Sequence, residues 1–147
     1  MVRAVEDLIL SVKAHNIEEA FSKMAISMFD IVINTEDIDL IQTKTVIMRS
    51  RDLKNLLYQL LKRLYDLANN ELFVLSTVKS ISIEQVGSEY LLNAVFIGDR
   101  MQTKYEVKDI IKQVTDRNLM ITEDLQGTSA QINLVVERRK ETENGEV

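Results

Sequence analysis

Cysteine and proline are both absent from this 147-residue chain. Without cysteine there is no disulfide, no thiolate zinc site and no thiol nucleophile. Without proline, against roughly 5 % in average usage, Pro-rich linkers and PxxP ligands drop out. A single histidine, His15, excludes HExxH and every other multi-histidine metal cluster. The glycines stand apart at 87, 98, 127 and 145, so neither GxGxxG nor a Walker A loop forms, which argues against nucleotide-binding enzymes of those types. Four tyrosines and four phenylalanines are scattered, without the basic–aromatic interleaving of an RNA-binding sheet. No apolar run approaches the ~18 residues of a membrane-spanning helix. Glu6 and Asp7 stand where a signal peptide requires unbroken apolar residues. A cytoplasmic location is the expectation.

What is present is an acidic, ordinary globular composition. The chain carries 23 acidic and 18 basic side chains, a formal net charge of −5, and 46 % hydrophobic residues. That length suits one domain with one core. The acidic balance argues against a surface built to grip phosphate backbone, and strong direct nucleic-acid binding is not expected. Any metal chemistry must use carboxylates.

Periodicity sets the architecture. Residues 7–14 alternate, with Leu8, Leu10, Val12 and Ala14 on one face, as in a strand. Asn16 followed by Glu19 has the spacing of a capping box. Ile17, Ala20, Phe21, Met24, Ala25 and Met28 then recur at helical spacing. Residues 38–48 are rich in β-branched side chains and read as a strand. Ser50 is a plausible N-cap for a second helix, whose stripe is Leu53, Leu56, Leu57, Leu60, Leu61, Leu64 and Leu67. Asn69-Asn70 ends it. Strands follow at 72–86 and 90–97, joined at Gly87-Ser88 by a turn of type II′. Gly98-Asp99-Arg100 reads as a loop. Residues 106–123 mix both periods and read as mostly strand. Gln126 to Ser129 reads as a turn before a last strand with Ala130, Ile132, Leu134 and Val136 on one face. After Lys140 no apolar pattern remains, which predicts a disordered tail over 141–147 behind a domain of residues 1–140. The order is β-α-β-α-β-β-β-β. It predicts an α+β two-layer sandwich, two amphipathic helices on a largely antiparallel sheet.

Chemistry is sparse. His15 lies at a strand-to-helix junction, where a surface loop residue is the plain reading. Arg138-Arg139-Lys140 reads as a solvated strand end more readily than as a nucleic-acid patch. Acids stand near strand ends at Asp7, Glu84, Asp116, Glu123 and Glu137. Carboxylates of that kind suit hard cations, and strands far apart in sequence can bring them together. Periodicity does not say which of them meet.

The stretch from Asp7 to Phe21, with Glu18-Glu19-Ala20-Phe21 at its end, resembles the N-terminal signature of the archease family without a gap. Ala25-Ile-Ser-Met-Phe29 continues that helix. Asp52-Leu53, the leucine stripe and Tyr65 resemble the family's second helix, Glu71-Leu-Phe73 its next strand entry, and Lys112-Gln-Val114-Thr115 its K-A-V-T motif. The resemblance spans roughly residues 4 to 137. It implies a small α+β accessory protein of the RtcB-type tRNA-splicing RNA ligase, promoting that ligase's guanylylation and turnover. It also implies an acidic metal spot, whose two carboxylates fall on Asp7 and Glu137; Ca²⁺ or Mg²⁺ are the cations such carboxylates suit, and Asp116 is a third candidate taken from the chain's own acids and not from the resemblance. The chain departs from the pattern there: H-T-A-D reads Ala4-Val5-Glu6-Asp7, and the Y-H pair after K-A-V-T reads Asp116-Arg117. A divergent member with weakened metal binding is the expectation. The rival readings are an interaction or chaperone-like module lacking metal binding and ligase activation, and, least supported, an enzyme using Asp7, Asp116 and Glu137.

Overall fold

A computed structural model describes residues 2–140. The order along the chain is β1 (Val2–Ala14), α1 (Ile17–Val32), a 3₁₀ turn (Thr35–Asp37), β2 (Gln42–Ser50), α2 (Leu53–Glu71), β3 (Phe73–Val86), β4 (Glu89–Arg100), β5 (Ile110–Val114), β6 (Met120–Asp124) and β7 (Gly127–Lys140). Two helices pack on antiparallel strands, as the periodicity predicts, and the 106–123 stretch contains two short strands. The strands fall into two sheets. One runs β1-β7-β5, with β6 also on β7; the other runs β2-β4-β3. Residues 141–147, expected as a disordered tail, lie outside the described residues.

Alternation in β1 and β7 does the main positioning. The two pair antiparallel along their full length, Leu8 opposite Leu134, Leu10 opposite Ile132 and Val12 opposite Ala130. That face is the inner one: Ile132, Leu134 and Val136 have no solvent exposure, and Leu8, Leu10 and Val12 pack against them. The α2 leucines at 56, 57, 60, 61 and 64 are likewise fully buried, and join Phe21, Phe73 and Phe96 in one core. Burying each such side chain contributes about 1.5–3 kcal/mol, so the leucine stripe alone anchors α2.

Helix ends follow local hydrogen bonding. Asn16 Oδ1 accepts from Glu19 N at 2.8 Å, while Glu19 Oε1 accepts from the backbone N–H of His15 at 2.6 Å, one residue earlier than a standard capping box. That bond, first among the causes, holds the Glu19 carboxyl below its usual range. The cap of α2 is Asp52, not Ser50: Asp52 Oδ1 accepts from Asn55 N at 2.7 Å. Ser50 belongs to β2, and its hydroxyl accepts from Asp52 N and Asn55 Nδ2. The α2 helix runs through Asn69-Asn70 to Glu71 and closes on Leu72 at φ +59.

Two further expectations are corrected. Residues 35–37 form a 3₁₀ turn, because Asp30 Oδ1 accepts from Thr35 N and Thr35 Oγ1 and so draws the chain back after α1; β2 starts only at Gln42. Gly98, Asp99 and Arg100 continue β4 instead of forming a loop. Gly98 is required there because the Val74 carbonyl occupies the place of a Cβ. Asp99 is buried, with Oδ2 accepting from Tyr105 Oη at 2.5 Å and from Gln102 Nε2 at 2.8 Å. Those bonds tie the loop after β4 to the sheet.

Candidate functional site

The face of β1 and β7 turned away from the core carries the sequence-derived acids. Asp7 stands opposite Val135 and Val5 opposite Glu137, so Asp7, Val135, Glu137 and Val5 share one face. Asp7 and Glu137 are diagonal neighbours, a backbone separation of about 7–8 Å. Residues 130 positions apart in sequence are thus brought to one corner. The Asp7 side chain is 59 % exposed and that of Glu137 19 %.

Each carboxylate faces a cation from the β5 side of the sheet. Arg117 Nη2 lies 3.2 Å from Asp7 Oδ1. Lys112 Nζ lies 3.9 Å from Glu137 Oε1. Lys112 sits at the irregularity where the β5–β7 register shifts between Ile111 and Gln113, and the Tyr65 hydroxyl donates to the carbonyls of both Ile111 and Lys112. Asp116 is exposed in the loop between β5 and β6. Among the described residues it does not join Asp7 and Glu137 in a group of three acids able to hold a metal ion.

Behind Asp7 lies a buried polar knot that periodicity did not single out. Asn133 is 2 % exposed, and its Nδ2 reaches Asp7 Oδ1 at 3.4 Å and Thr115 Oγ1 at 3.5 Å. Thr115 Oγ1 donates to the Asn133 carbonyl at 2.6 Å and accepts from Arg117 N at 3.1 Å. The Asn133 N–H in turn donates to the Arg117 carbonyl at 2.9 Å. The loop carrying Arg117 is therefore clamped to β7 next to Asp7. The sequence carries no signal for this, since Asn133 stands at an outward position of the alternation, where a polar residue such as Gln131 is the ordinary occupant.

The remaining candidates lie elsewhere. His15 is exposed at the start of α1. Arg138 is committed to acids, its Nε 2.9 Å from Glu6 Oε2 and its Nη1 3.4 Å from Asp109 Oδ2. Asp109 Oδ1 also accepts from Arg139 N at 2.8 Å. Glu84 lies in β3 and Glu123 in β6, both exposed. An apolar cavity of ≈ 220 Å³ opens between α1, α2 and the 101–111 segment, lined without an acid or a cation.

The model of the Archease protein family (MTH1598/TM1083) matches residues 4–136 of this chain. The chain belongs to the archease family. Proteins named archease from Thermococcus kodakarensis and Methanosarcina barkeri are 31 % and 30 % identical to it. The first alignment covers 71 % of this chain and 74 % of its relative, the second 78 % and 80 %. The archease of Pyrococcus abyssi is 29 % identical over 72 % of this chain and 75 % of its own. The solution structure of Methanobacterium thermoautotrophicum protein 1598 superposes with a TM-score of 0.76 at 21 % identity, covering 90 % of this chain and 96 % of that one. That likeness confirms the α+β fold. Membership makes this an archease-type accessory protein, and among the described residues no helix is long and apolar enough to cross a membrane.

Proposed function

We propose that this archease-type protein is a non-catalytic, cytoplasmic factor that activates an RNA (tRNA-splicing) ligase of the RtcB type by direct contact, promoting its guanylylation and turnover. The observation that carries the reading is the β1–β7 pairing, which gathers Asp7 and Glu137 on one outward corner in a chain of this family. The mechanism is differential binding: a surface that fits the guanylylation-competent ligase better than its other states shifts the population toward it. The chain's own groups at that surface are the Asp7 carboxylate, the Arg117 guanidinium beside it and the Lys112–Glu137 pair. No step of this mechanism runs through a metal ion.

The test is ligation of RNA ends by the ligase with GTP, in the presence and absence of this protein. Multiple turnovers are expected only with it, and Asp7→Ala is expected to weaken the stimulation. Equal turnover in both tubes rejects the reading. That outcome favours the second one, an interaction module without ligase coupling, which draws its support from the cations already facing both acids.

A further inference from the structure

We infer that Arg117 is a built-in cation for the Asp7–Glu137 corner, so that this corner holds no divalent ion and works as a closed polar surface. The inference rests on the reading of the corner as a contact surface, and it concerns the corner's own charge.

Direction of donation at Asn133 carries the argument. The Thr115 hydroxyl has one proton, and it is directed at the Asn133 carbonyl at 2.6 Å. Toward the Asn133 side chain the hydroxyl can therefore only accept, which fixes the amide with Nδ2, not Oδ1, on that side. The same Nδ2 group also faces Asp7 Oδ1. Asn133 is buried, so this polarity is set by neighbours and not by solvent. An oxygen-seeking cation such as Ca²⁺ or Mg²⁺ takes oxygen ligands. Here the inner wall of the corner presents N–H donors, which satisfy an anion and repel a cation.

The outer wall agrees. Arg117 Nη2 meets the same Asp7 oxygen that Asn133 addresses, and Lys112 Nζ faces Glu137. An ion pair as exposed as Asp7–Arg117 holds weakly on its own. What the clamp adds is placement: Thr115 Oγ1 accepts from the Arg117 N–H and the Asn133 N–H donates to the Arg117 carbonyl, so the backbone that carries the guanidinium is fixed beside Asp7. Water can complete the shell of a divalent ion, so the obstacle is charge and not oxygen count: Arg117 and Lys112 already face the two carboxylates and offset the charge that would draw the ion in.

Titration of the full chain with CaCl₂, and separately MgCl₂, followed by calorimetry and by the side-chain amide NMR signal of Asn133, tests this without the ligase. Wild type is expected to show no saturable binding tighter than about 1 mM, the weak end of protein Ca²⁺ sites. Arg117→Gln keeps a polar side chain but removes the charge, and is expected to bind Ca²⁺ at least about threefold more tightly than wild type, the size of effect one exposed charge exerts. Adding Asp7→Asn to that variant is expected to abolish the gain. Wild-type binding tighter than about 1 mM overturns the inference, and so does a gain below about threefold or a gain that survives Asp7→Asn. A ligase left unstimulated, with these titrations as expected, would reject the function and leave the built-in cation standing.

Discussion

Gly127→Ala tests whether the β1–β7 ladder, which brings Asp7 to Glu137, is fixed by backbone geometry at its far end. Gly127 opens β7 at φ +142, a conformation that side-chain-bearing residues rarely adopt. A Cβ there would overlap the carbonyl oxygen of Ala14, the last residue of β1. The positive φ costs about 1–3 kcal/mol. Overlap adds about 1–3 kcal/mol, judged from overpacked sites. The obstacle is a ladder carbonyl and not the tip of a flexible side chain, so relaxation is partial and the expected loss is about 3–4 kcal/mol. For a domain of this size that lowers Tm by about 10 °C. Gly87→Ala is the internal control: Gly87 also has positive φ, +64, but nothing lies within 4 Å of an added Cβ. Its cost is the left-handed backbone alone, about 1 kcal/mol. Urea unfolding followed by circular dichroism gives both losses from the midpoints at constant m. Equal losses in the two variants, or a Gly127→Ala loss below about 1 kcal/mol, refute the steric reasoning.

Leu60→Ala removes a fully buried side chain from the middle of the α2 stripe and is expected to cost about 2–5 kcal/mol in the same assay; a loss under about 1 kcal/mol would mean that α2 is not anchored by its leucines. The Tyr105 hydroxyl is the largest of the influences holding the Asp99 carboxyl below its ordinary value, with burial opposing and the Arg100 N–H adding. A carboxyl lowered on folding adds stability that is present above its unfolded pKa, near 3.8, and lost as pH falls through the folded value. Tyr105→Phe should therefore destabilise most near neutral pH, with the gap to wild type closing below about pH 4. A gap constant from about pH 7 to about pH 2.5 contradicts the assignment.

The scaffold was legible because burial on one face of a strand or helix leaves a periodic trace. Alternation at 8, 10, 12 and 14 and at 130, 132, 134 and 136 identified the two inner faces that do meet, and a one-residue slip would have moved every one of those side chains to solvent. The same alternation put Asp7 and Glu137 outward by parity. Errors fell where tertiary contacts override local preference. Gly98 looked like a loop glycine because its reason for being glycine, the Val74 carbonyl, belongs to another strand. Asp52 caps α2 while the better-looking Ser50 remains in the sheet, since the extended pairing of Ser50 with Tyr90 holds it in β2.

The corner's electrostatics were not legible, and the reason is a matter of distance along the chain. Arg117 reaches Asp7 across 110 residues from a loop whose sequence has no period, and nothing in Asp116-Arg117-Asn118 marks Arg117 as the charge that pairs with Asp7. What holds that loop in place is the Thr115–Asn133 clamp, between a residue just past the end of β5 and one in β7 that periodicity does not link. Fold and corner therefore answer to different rules. The fold follows from the summed burial of many side chains, any one of which is replaceable at a cost of a few kcal/mol. The charge of the corner follows from a few contacts, the Arg117 and Lys112 cations that face its two acids. A single substitution at Arg117, an exposed side chain, would thus change what the acidic edge attracts while leaving both sheets and both helices in place.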